Sequence, residues 1–287
     1  MDEIRKIKQT IIARPVLEGA GVHLKRVFGS DEVPDLDPFL LLDDFHSSDP
    51  QKYIKGFPWH PHRGIETITY ILHGNVEHGD SMGNRGIISS GDIQWMTAGS
   101  GIIHQEMPKG NEDNLLWGFQ LWANLPAAQK MMPPRYQEIK KNQVRETVLE
   151  NGITLRIIAG KVNGVEGPVK DIVIDPQFLD ITLPANTVLD HEIKQGHKVF
   201  AYVIEGHGMF DPGAQKAAGP ETLVIFEDGK KLKIASTKTP VRFLLVSGKP
   251  INEPISWQGP IVMNTDEELE TAFREYRNGT FLKHPKK

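Results

Sequence analysis

Residues 56–66 read Gly-Phe-Pro-Trp-His-Pro-His-Arg-Gly-Ile-Glu. In an extended chain, residues i and i+2 share a face, so His60 and His62 are expected to project their imidazoles into the same space. A single His-x-His pair also fits two histidines on a solvated strand. This stretch therefore indicates a strand, and it leaves a metal site and an ordinary surface both open.

A second pair of the same kind follows at residues 97–107, which read Thr-Ala-Gly-Ser-Gly-Ile-Ile-His-Gln-Glu-Met. Its two glycines allow a tight turn, and His104 and Glu106 are again two residues apart. Three imidazoles and one carboxylate on two facing strands form a ligand set for one divalent transition metal ion per chain, with positions open for water or substrate. The chain has no cysteine, which disfavours metals that prefer sulfur ligands. Iron(II), manganese, nickel, copper and zinc remain as candidates.

Other features near these pairs have plainer interpretations. The glycines at 99 and 101 do not make a dinucleotide fingerprint, because the third glycine and the strand–turn–helix context are missing. Glu66 lies at even spacing from His62, but a bulge at Gly64 would turn it away. We therefore expect Glu66 to orient a ligand histidine or to be structural. The remaining histidines considered lack a partner at ligand spacing and are expected to be surface or hydrogen-bonded residues: His46, His73, His78, His191, His197 and His207.

Short β-rich runs punctuated by glycine predict an all-β protein built of barrels or sandwiches. Residues 68–74 (Ile-Thr-Tyr-Ile-Leu-His-Gly) and 200–206 (Phe-Ala-Tyr-Val-Ile-Glu-Gly) share one pattern, which indicates one barrel design repeated in tandem. A proline-containing connector at 125–150 predicts a division into residues 1–135 and 136–287. Near the end, Thr265 and Glu268 form a capping-box pattern ahead of an apolar stripe, which predicts a short helix ending at Asn278-Gly279.

The bulk composition excludes some classes of function. A net charge of -4 and a pI near 6.3 disfavour direct nucleic-acid binding, which needs clustered Lys and Arg. The charged N-terminus and the lack of a long apolar run predict a soluble, cytoplasmic protein with no membrane segment. Nuclear localisation is a further option for a eukaryotic source. A monomer is the default expectation, since no exposed strand or heptad pattern demands otherwise.

The motifs at 57–67, 80–86, 91–106 and 264–281 together resemble the pirin family of the cupin superfamily. The resemblance implies two tandem, jelly-roll-like cupin β-barrels with a short C-terminal helix. It implies iron in the N-terminal barrel, with His60, His62, His104 and Glu106 as ligands, and a degenerate, metal-free C-terminal barrel. The chain lacks the glycine that most cupins carry six residues before the first histidine, a departure that the pirin type shares.

The same resemblance implies a function. The first hypothesis is an iron(II)-type dioxygenase that opens a small aromatic substrate, a flavonol such as quercetin, with Glu106 as the catalytic proton acceptor. Phe57, Trp59, Trp95 and Met96 are candidates for an apolar mouth. The alternative is a non-enzymatic, iron-dependent redox-sensing regulator that binds a protein partner. A metal-assisted isomerase ranks last, because few basic residues lie near the motif to hold an anion.

Overall fold

The computed structural model describes residues 4–32 and 36–284, and strands dominate this part of the chain. In chain order the strands of the first half are β1 (Ile7–Ile12), β2 (Arg14–Glu18), β3 (Val22–Phe28), β4 (Phe39–Ser47), β5 (Phe57–His62), β6 (Ile65–His73), β7 (Asn75–Asp80), β8 (Arg85–Ser89), β9 (Ile93–Thr97), β10 (Ile102–Lys109), β11 (Leu116–Asn124) and β12 (Arg135–Ile139). Those of the second half are β13 (Arg145–Val148), β14 (Thr154–Ala159), β15 (Lys161–Val162), β16 (Val165–Glu166), β17 (Gln177–Leu183), β18 (Val188–Glu192), β19 (Lys198–Met209), β20 (Thr222–Phe226), β21 (Lys231–Gly248), β22 (Ser256–Gln258) and β23 (Ile261–Met263).

Helical elements are short in the residues that the structure describes. The 3₁₀ turns given bounds there lie at Pro50–Lys52, Ala127–Gln129 and Lys141–Gln143, and an α-helix near the end, α1, spans Asp266–Arg277. The all-β fold class with a short C-terminal helix is thereby confirmed. Within residues 4–32 and 36–284, no helix has both the length and the apolar character needed to cross a bilayer.

The chain divides into two compact units. The first unit contains Pro15–Arg26, Phe39–Lys141 and the segment from Ile251 onward; the second contains the chain up to Arg14, Val27–Pro38 and Asn142–Pro250. Helix α1 groups with the first unit. The division of the sequence at residue 135 stays a proposal for the limits of the two cupin domains.

The first unit contains two larger sheets and a two-stranded antiparallel sheet of β22 and β23. A seven-stranded sheet has the order β12-β9-β6-β11-β4-β3-β2, and a four-stranded sheet has the order β5-β10-β7-β8. One buried apolar cluster includes Ile71 of β6 and Val76 of β7. Because side chains alternate along a strand, Thr69 shares the face of Ile71, and His78 shares the face of Val76. The apolar cluster and a set of polar side chains therefore lie along the same strand faces.

The second unit is built on an eight-stranded sheet of order β1-β20-β19-β21-β17-β14-β13, with β18 paired to β21. Its interior is filled by a large cluster of buried aliphatic and aromatic side chains, which includes Leu179, Val224 and Phe243. His191 of β18 is buried and lies 2.7 Å from Gln177, through Nε2 and Oε1. A buried imidazole held by an amide fits the hydrogen-bonded role predicted for this histidine.

Helix α1 begins as the sequence predicts. The Glu268 amide donates to Thr265 Oγ1 at 3.2 Å, and Glu268 Oε2 accepts from the Thr265 amide at 3.2 Å, which completes the capping box. Leu269 and Ala272 are buried against a cluster that includes Ile261. The predicted apolar stripe is only partly covered, because Tyr276, at its end, remains 39% exposed.

Candidate metal centre

The predicted ligands lie on two adjacent antiparallel strands of the four-stranded sheet. His60 and His62 are on β5, and His104 and Glu106 are on β10, where His104 lies directly opposite His60. A β-bulge follows, so that Glu106 lies opposite Phe57. The i, i+2 spacing on each strand and the pairing between the strands place the histidine side chains on one face.

Three imidazoles converge on this face. One ring nitrogen from each of His60, His62 and His104 lies within 4.8 Å of the others. The Nε2 atoms of His60 and His62 are 3.1 Å apart, and the ring centroids of His60 and His104 are 4.3 Å apart. The convergence predicted from the two His-containing motifs is present in the structure.

Backbone carbonyls fix the orientation of two of these rings. His60 Nδ1 lies 2.8 Å from the carbonyl of Pro58, and His62 Nδ1 lies 3.0 Å from the carbonyl of Pro260. A carbonyl only accepts, so in each ring Nδ1 carries the hydrogen and Nε2 presents its lone pair. Two facing lone pairs repel each other in the absence of a cation, and this donor arrangement suits a metal ion.

His104 supplies a second indication that the residues fit a metal ion. The side chain is fully buried, and neither ring nitrogen has a hydrogen-bond partner among the described residues. A buried imidazole without partners is costly unless an ion or ligand completes it. Burial, followed by the neighbouring histidines, holds the pKa of His104 well below its usual value, and burial and His60 do the same for the pKa of His62. Both rings are thus neutral ligands at neutral pH.

Glu106 lies next to this cluster on β10, but the group of three converging side chains does not include it. Its Oε1 lies 3.0 Å from Thr69 Oγ1, and its Oε2 accepts from Gln120 Nε2 at 3.5 Å. The Thr69 hydroxyl also lies 2.6 Å from Gln120 Oε1, so its single hydrogen is shared between two acceptors. These neighbours orient the carboxylate, and its role as a metal ligand stays a proposal.

The apolar side chains near the histidine cluster differ from those predicted to line the mouth of the site. Trp95 lies opposite Ile68, whereas Met96 lies opposite Thr67 and shares the face on which Thr69 meets Glu106. Trp59 is 50% exposed. Of the predicted aromatic residues, Trp95 therefore faces away from the site. Trp122 was not among the predicted residues, yet its ring lies 5.0 Å from that of His62 in an edge-to-face arrangement.

Glu66 takes the structural role. It is fully buried, its Oε1 accepts from Thr97 Oγ1 at 2.6 Å, and Arg135 Nη2 lies 3.9 Å from the same oxygen. Burial raises the pKa of this carboxyl group. The alternative that Glu66 orients a ligand histidine is wrong, because its contacts are with Thr97 and Arg135.

His78 has the hydrogen-bonded role of the two predicted for it, since its Nε2 lies 3.4 Å from Asp80 Oδ2, but its position beside the histidine cluster was not predicted. It is buried, its ring centroid is 5.5 Å from that of His104, and it lies opposite Glu106 across the β7–β10 pair. Only the pairing of β7 with β10 brings it there. The sequence around His78 contains no local pattern that predicts this position.

The sequence matches two protein-family models. The family models for pirin and for the pirin C-terminal cupin domain match residues 21–123 and 178–282. A pirin-like protein of Caulobacter vibrioides is 38% identical over 279 residues, which covers 97% of this chain and 99% of the relative.

Solved structures show the same fold. A quercetin 2,3-dioxygenase of Acinetobacter baumannii has a TM-score of 0.87 at 31% identity, covering 97% of this chain and 98% of its own. A bacterial pirin of Escherichia coli, solved in complex with nickel(II), has a TM-score of 0.64 at 21% identity, covering 84% of this chain and 100% of its own. The second likeness is one of fold alone.

Proposed function

Since the chain belongs to the pirin family, we propose that it is a metal-dependent dioxygenase that opens a flavonol such as quercetin. The proposed centre is of the iron(II) type, with His60, His62, His104 and Glu106 as ligands. The similarity to a quercetin 2,3-dioxygenase over almost the whole chain supports this substrate class.

The observation that carries the proposal is the convergence of the three imidazoles of His60, His62 and His104. Nε2 of His60 and Nε2 of His62 are 3.1 Å apart while each Nδ1 is held by a carbonyl. Three nitrogen donors and a carboxylate form a set suited to iron(II) and its first-row neighbours, with positions left for exogenous ligands. When bound, such a metal supplies Lewis acidity and one-electron chemistry with dioxygen.

Other groups of the chain would accept the substrate proton, limit the access of water and orient the ligand rings. Glu106 is the proposed acceptor of the flavonol hydroxyl proton, and Thr69 and Gln120 hold its carboxylate in place. Trp122, against His62, supplies an apolar wall that limits the access of water. The carbonyls of Pro58 and Pro260 hold the rings of His60 and His62 in the tautomer with the hydrogen on Nδ1.

The decisive experiment measures metal content and dioxygen uptake together. The protein is reconstituted anaerobically with iron(II), manganese(II) or nickel(II), one metal at a time, and dioxygen consumption is then recorded with quercetin. We expect one metal ion per chain and uptake in proportion to the quercetin consumed. The variant His104→Ala removes one of the converging imidazoles, so both metal content and uptake should fall to background.

A matched control is His73→Ala, because His73 lies on the neighbouring strand β6 but is exposed. This variant should retain both properties. Full metal occupancy without dioxygen uptake for all three metals would overturn the dioxygenase proposal. The redox-sensing regulator implied by the family resemblance would then be the better account.

A further inference from the structure

His78 and Asp80 form a buried pair beside the proposed metal centre. The side chains of both are fully buried, and His78 Nε2 lies 3.4 Å from Asp80 Oδ2. Asp80 is held by three further bonds: its Oδ1 accepts from the amides of Met82 at 2.9 Å and Asn84 at 3.0 Å, and its Oδ2 accepts from Asn84 Nδ2 at 2.7 Å. The aspartate is thus a fixed acceptor for the imidazole.

This pairing decides the tautomer of His78. With the hydrogen on Nε2 directed at Asp80, Nδ1 presents a lone pair. That Nδ1 atom is buried and has no hydrogen-bond partner among the described residues. The ring lies 5.5 Å from His104, so the free acceptor belongs to the immediate surroundings of the proposed metal centre.

A second free acceptor lies on the same wall. The Tyr136 ring stacks on His78 at 5.0 Å between centroids, and Tyr136 Oη accepts from Gln94 Nε2 at 3.3 Å. Gln94 is fully buried, and its Oε1 has no hydrogen-bond partner among the residues that the structure describes. Gly86 lies opposite His78 across β7–β8, and a Cβ there would be 3.5 Å from Glu138 Oε1 and 4.0 Å from Tyr136 Oη.

We propose that His78 Nδ1 and Gln94 Oε1 bind hydroxyl groups of an aromatic substrate whose other end reaches the metal centre. Leaving two buried acceptors without hydrogen-bond donors is unfavourable. Each of these atoms offers a lone pair and needs a hydrogen from its partner. A ligand that completes them must therefore supply hydrogens, which phenolic hydroxyls do. This inference rests on the proposed function and specifies two residues, His78 and Gln94, that recognise the ring hydroxyls of the substrate.

The test compares two flavonols that share the 3-hydroxy-4-keto group. Quercetin carries further hydroxyls on its rings, and 3-hydroxyflavone carries none. Binding of each to the nickel(II)-loaded protein is measured under anaerobic conditions by quenching of tryptophan fluorescence. We expect the parent protein to bind quercetin more tightly than 3-hydroxyflavone. In His78→Phe this preference should shrink by roughly 5- to 100-fold, because one buried hydrogen bond is lost. The affinity for 3-hydroxyflavone should stay within about threefold.

His73→Phe is the matched control, since it makes the same substitution at an exposed histidine of β6, and it should retain the preference. Gln94→Leu is a second, independent variant with the same expected loss, and it carries the test if His78→Phe does not fold. Circular dichroism and metal content establish that each variant is intact. An unchanged preference in intact, metal-loaded His78→Phe and Gln94→Leu would overturn the inference.

The two proposals fail separately. Selective binding of quercetin that depends on His78, without dioxygen uptake, would support this inference and reject the dioxygenase. Dioxygen uptake with quercetin, together with an unchanged binding preference in the variants, would support the dioxygenase and reject this inference.

Discussion

Replacement of Arg63 by methionine should increase the population in which the C-terminal helix is undocked from the rest of the first unit. Arg63 is only 2% exposed. Its Nε donates to the Ser100 carbonyl at 2.7 Å, its Nη2 donates to the Phe281 carbonyl at 2.8 Å, and its Nη1 lies 2.8 Å from Glu275 Oε2. The guanidinium also lies 4.3 Å from the centroid of the Phe281 ring. One side chain thus ties the strand end after His62 to helix α1 and the residues that follow it.

The expected cost follows from these contacts. Breaking a buried charged pair costs about 3–5 kcal/mol when the remaining partner is left without compensation. Glu275 keeps an ion pair with Lys283 at 2.7 Å after the substitution, and methionine fills part of the vacated volume. The lower end, about 3 kcal/mol, is therefore the better figure. That free energy corresponds to about a 100-fold increase in the population of the undocked segment.

Amide hydrogen exchange measures this population directly. Amides of Asp266–Arg277 should exchange about 100-fold faster in Arg63→Met, because they exchange through local opening of the segment. The control is Arg274→Met, since Arg274 is exposed and its bond to Thr271 Oγ1, at 2.9 Å, lies within the helix. It should change exchange by no more than about twofold. Helix amides that exchange equally slowly in Arg63→Met and the parent would refute the reasoning.

Three further outcomes are expected. Thr265→Ala removes the helix cap and should lower the free energy of unfolding by about 1 kcal/mol, measured by denaturant titration. Glu106→Gln should weaken metal binding at least roughly tenfold in a chelator competition, because it removes a charged donor; unchanged affinity would exclude Glu106 as a ligand. Burial lowers the pKa of His191 to about 4 from 6.5. The unfolded chain therefore binds one more proton between these pH values, and stability falls by about 3 kcal/mol as the pH drops through that window. In His191→Gln this part of the decline should be missing from pH-dependent unfolding.

The ligand histidines could be predicted from sequence because their geometry follows from a local rule. Alternation along β5 brings His60 and His62 to one face, alternation along β10 does the same for His104 and Glu106, and the pairing of the two strands places the histidines on the same face of the sheet. The helix cap at Thr265 was predictable for the same reason, since all of its partners lie within four residues. The family resemblance then supplied the tandem cupin architecture, which spacing alone left as barrels or sandwiches.

Alternation failed where the strand is interrupted. Glu66 has the right parity relative to His62, but β5 ends at His62 and β6 begins at Ile65. Between them Gly64 has a φ of 80°, a conformation that side-chain-bearing residues rarely adopt. A Cβ at this position would also overlap the Val262 carbonyl. The break reverses the parity, so Glu66 contacts Thr97 instead of the histidines.

Other parts of the site depend on contacts that have no local signature. His78 lies beside the histidine cluster only because β7 pairs with β10, and Trp122 contacts His62 only because β11 pairs with β6. The carbonyl that orients His62 belongs to Pro260, 198 residues away along the chain. A backbone carbonyl can come from any residue, so no pattern in the sequence identifies it.

The contact between His62 and Pro260 has a thermodynamic consequence. Pro260 and helix α1 belong to the same C-terminal segment, so undocking of that segment would take away the acceptor for His62 Nδ1. A metal ion that binds more tightly when His62 is held in one tautomer must stabilise the docked segment by the same free energy. Nickel(II) should therefore slow amide exchange in helix α1 of Arg63→Met, where the undocked population is large enough to respond. Equal amide exchange in this helix with and without nickel(II) would show that the contact between His62 and the Pro260 carbonyl does not affect metal binding.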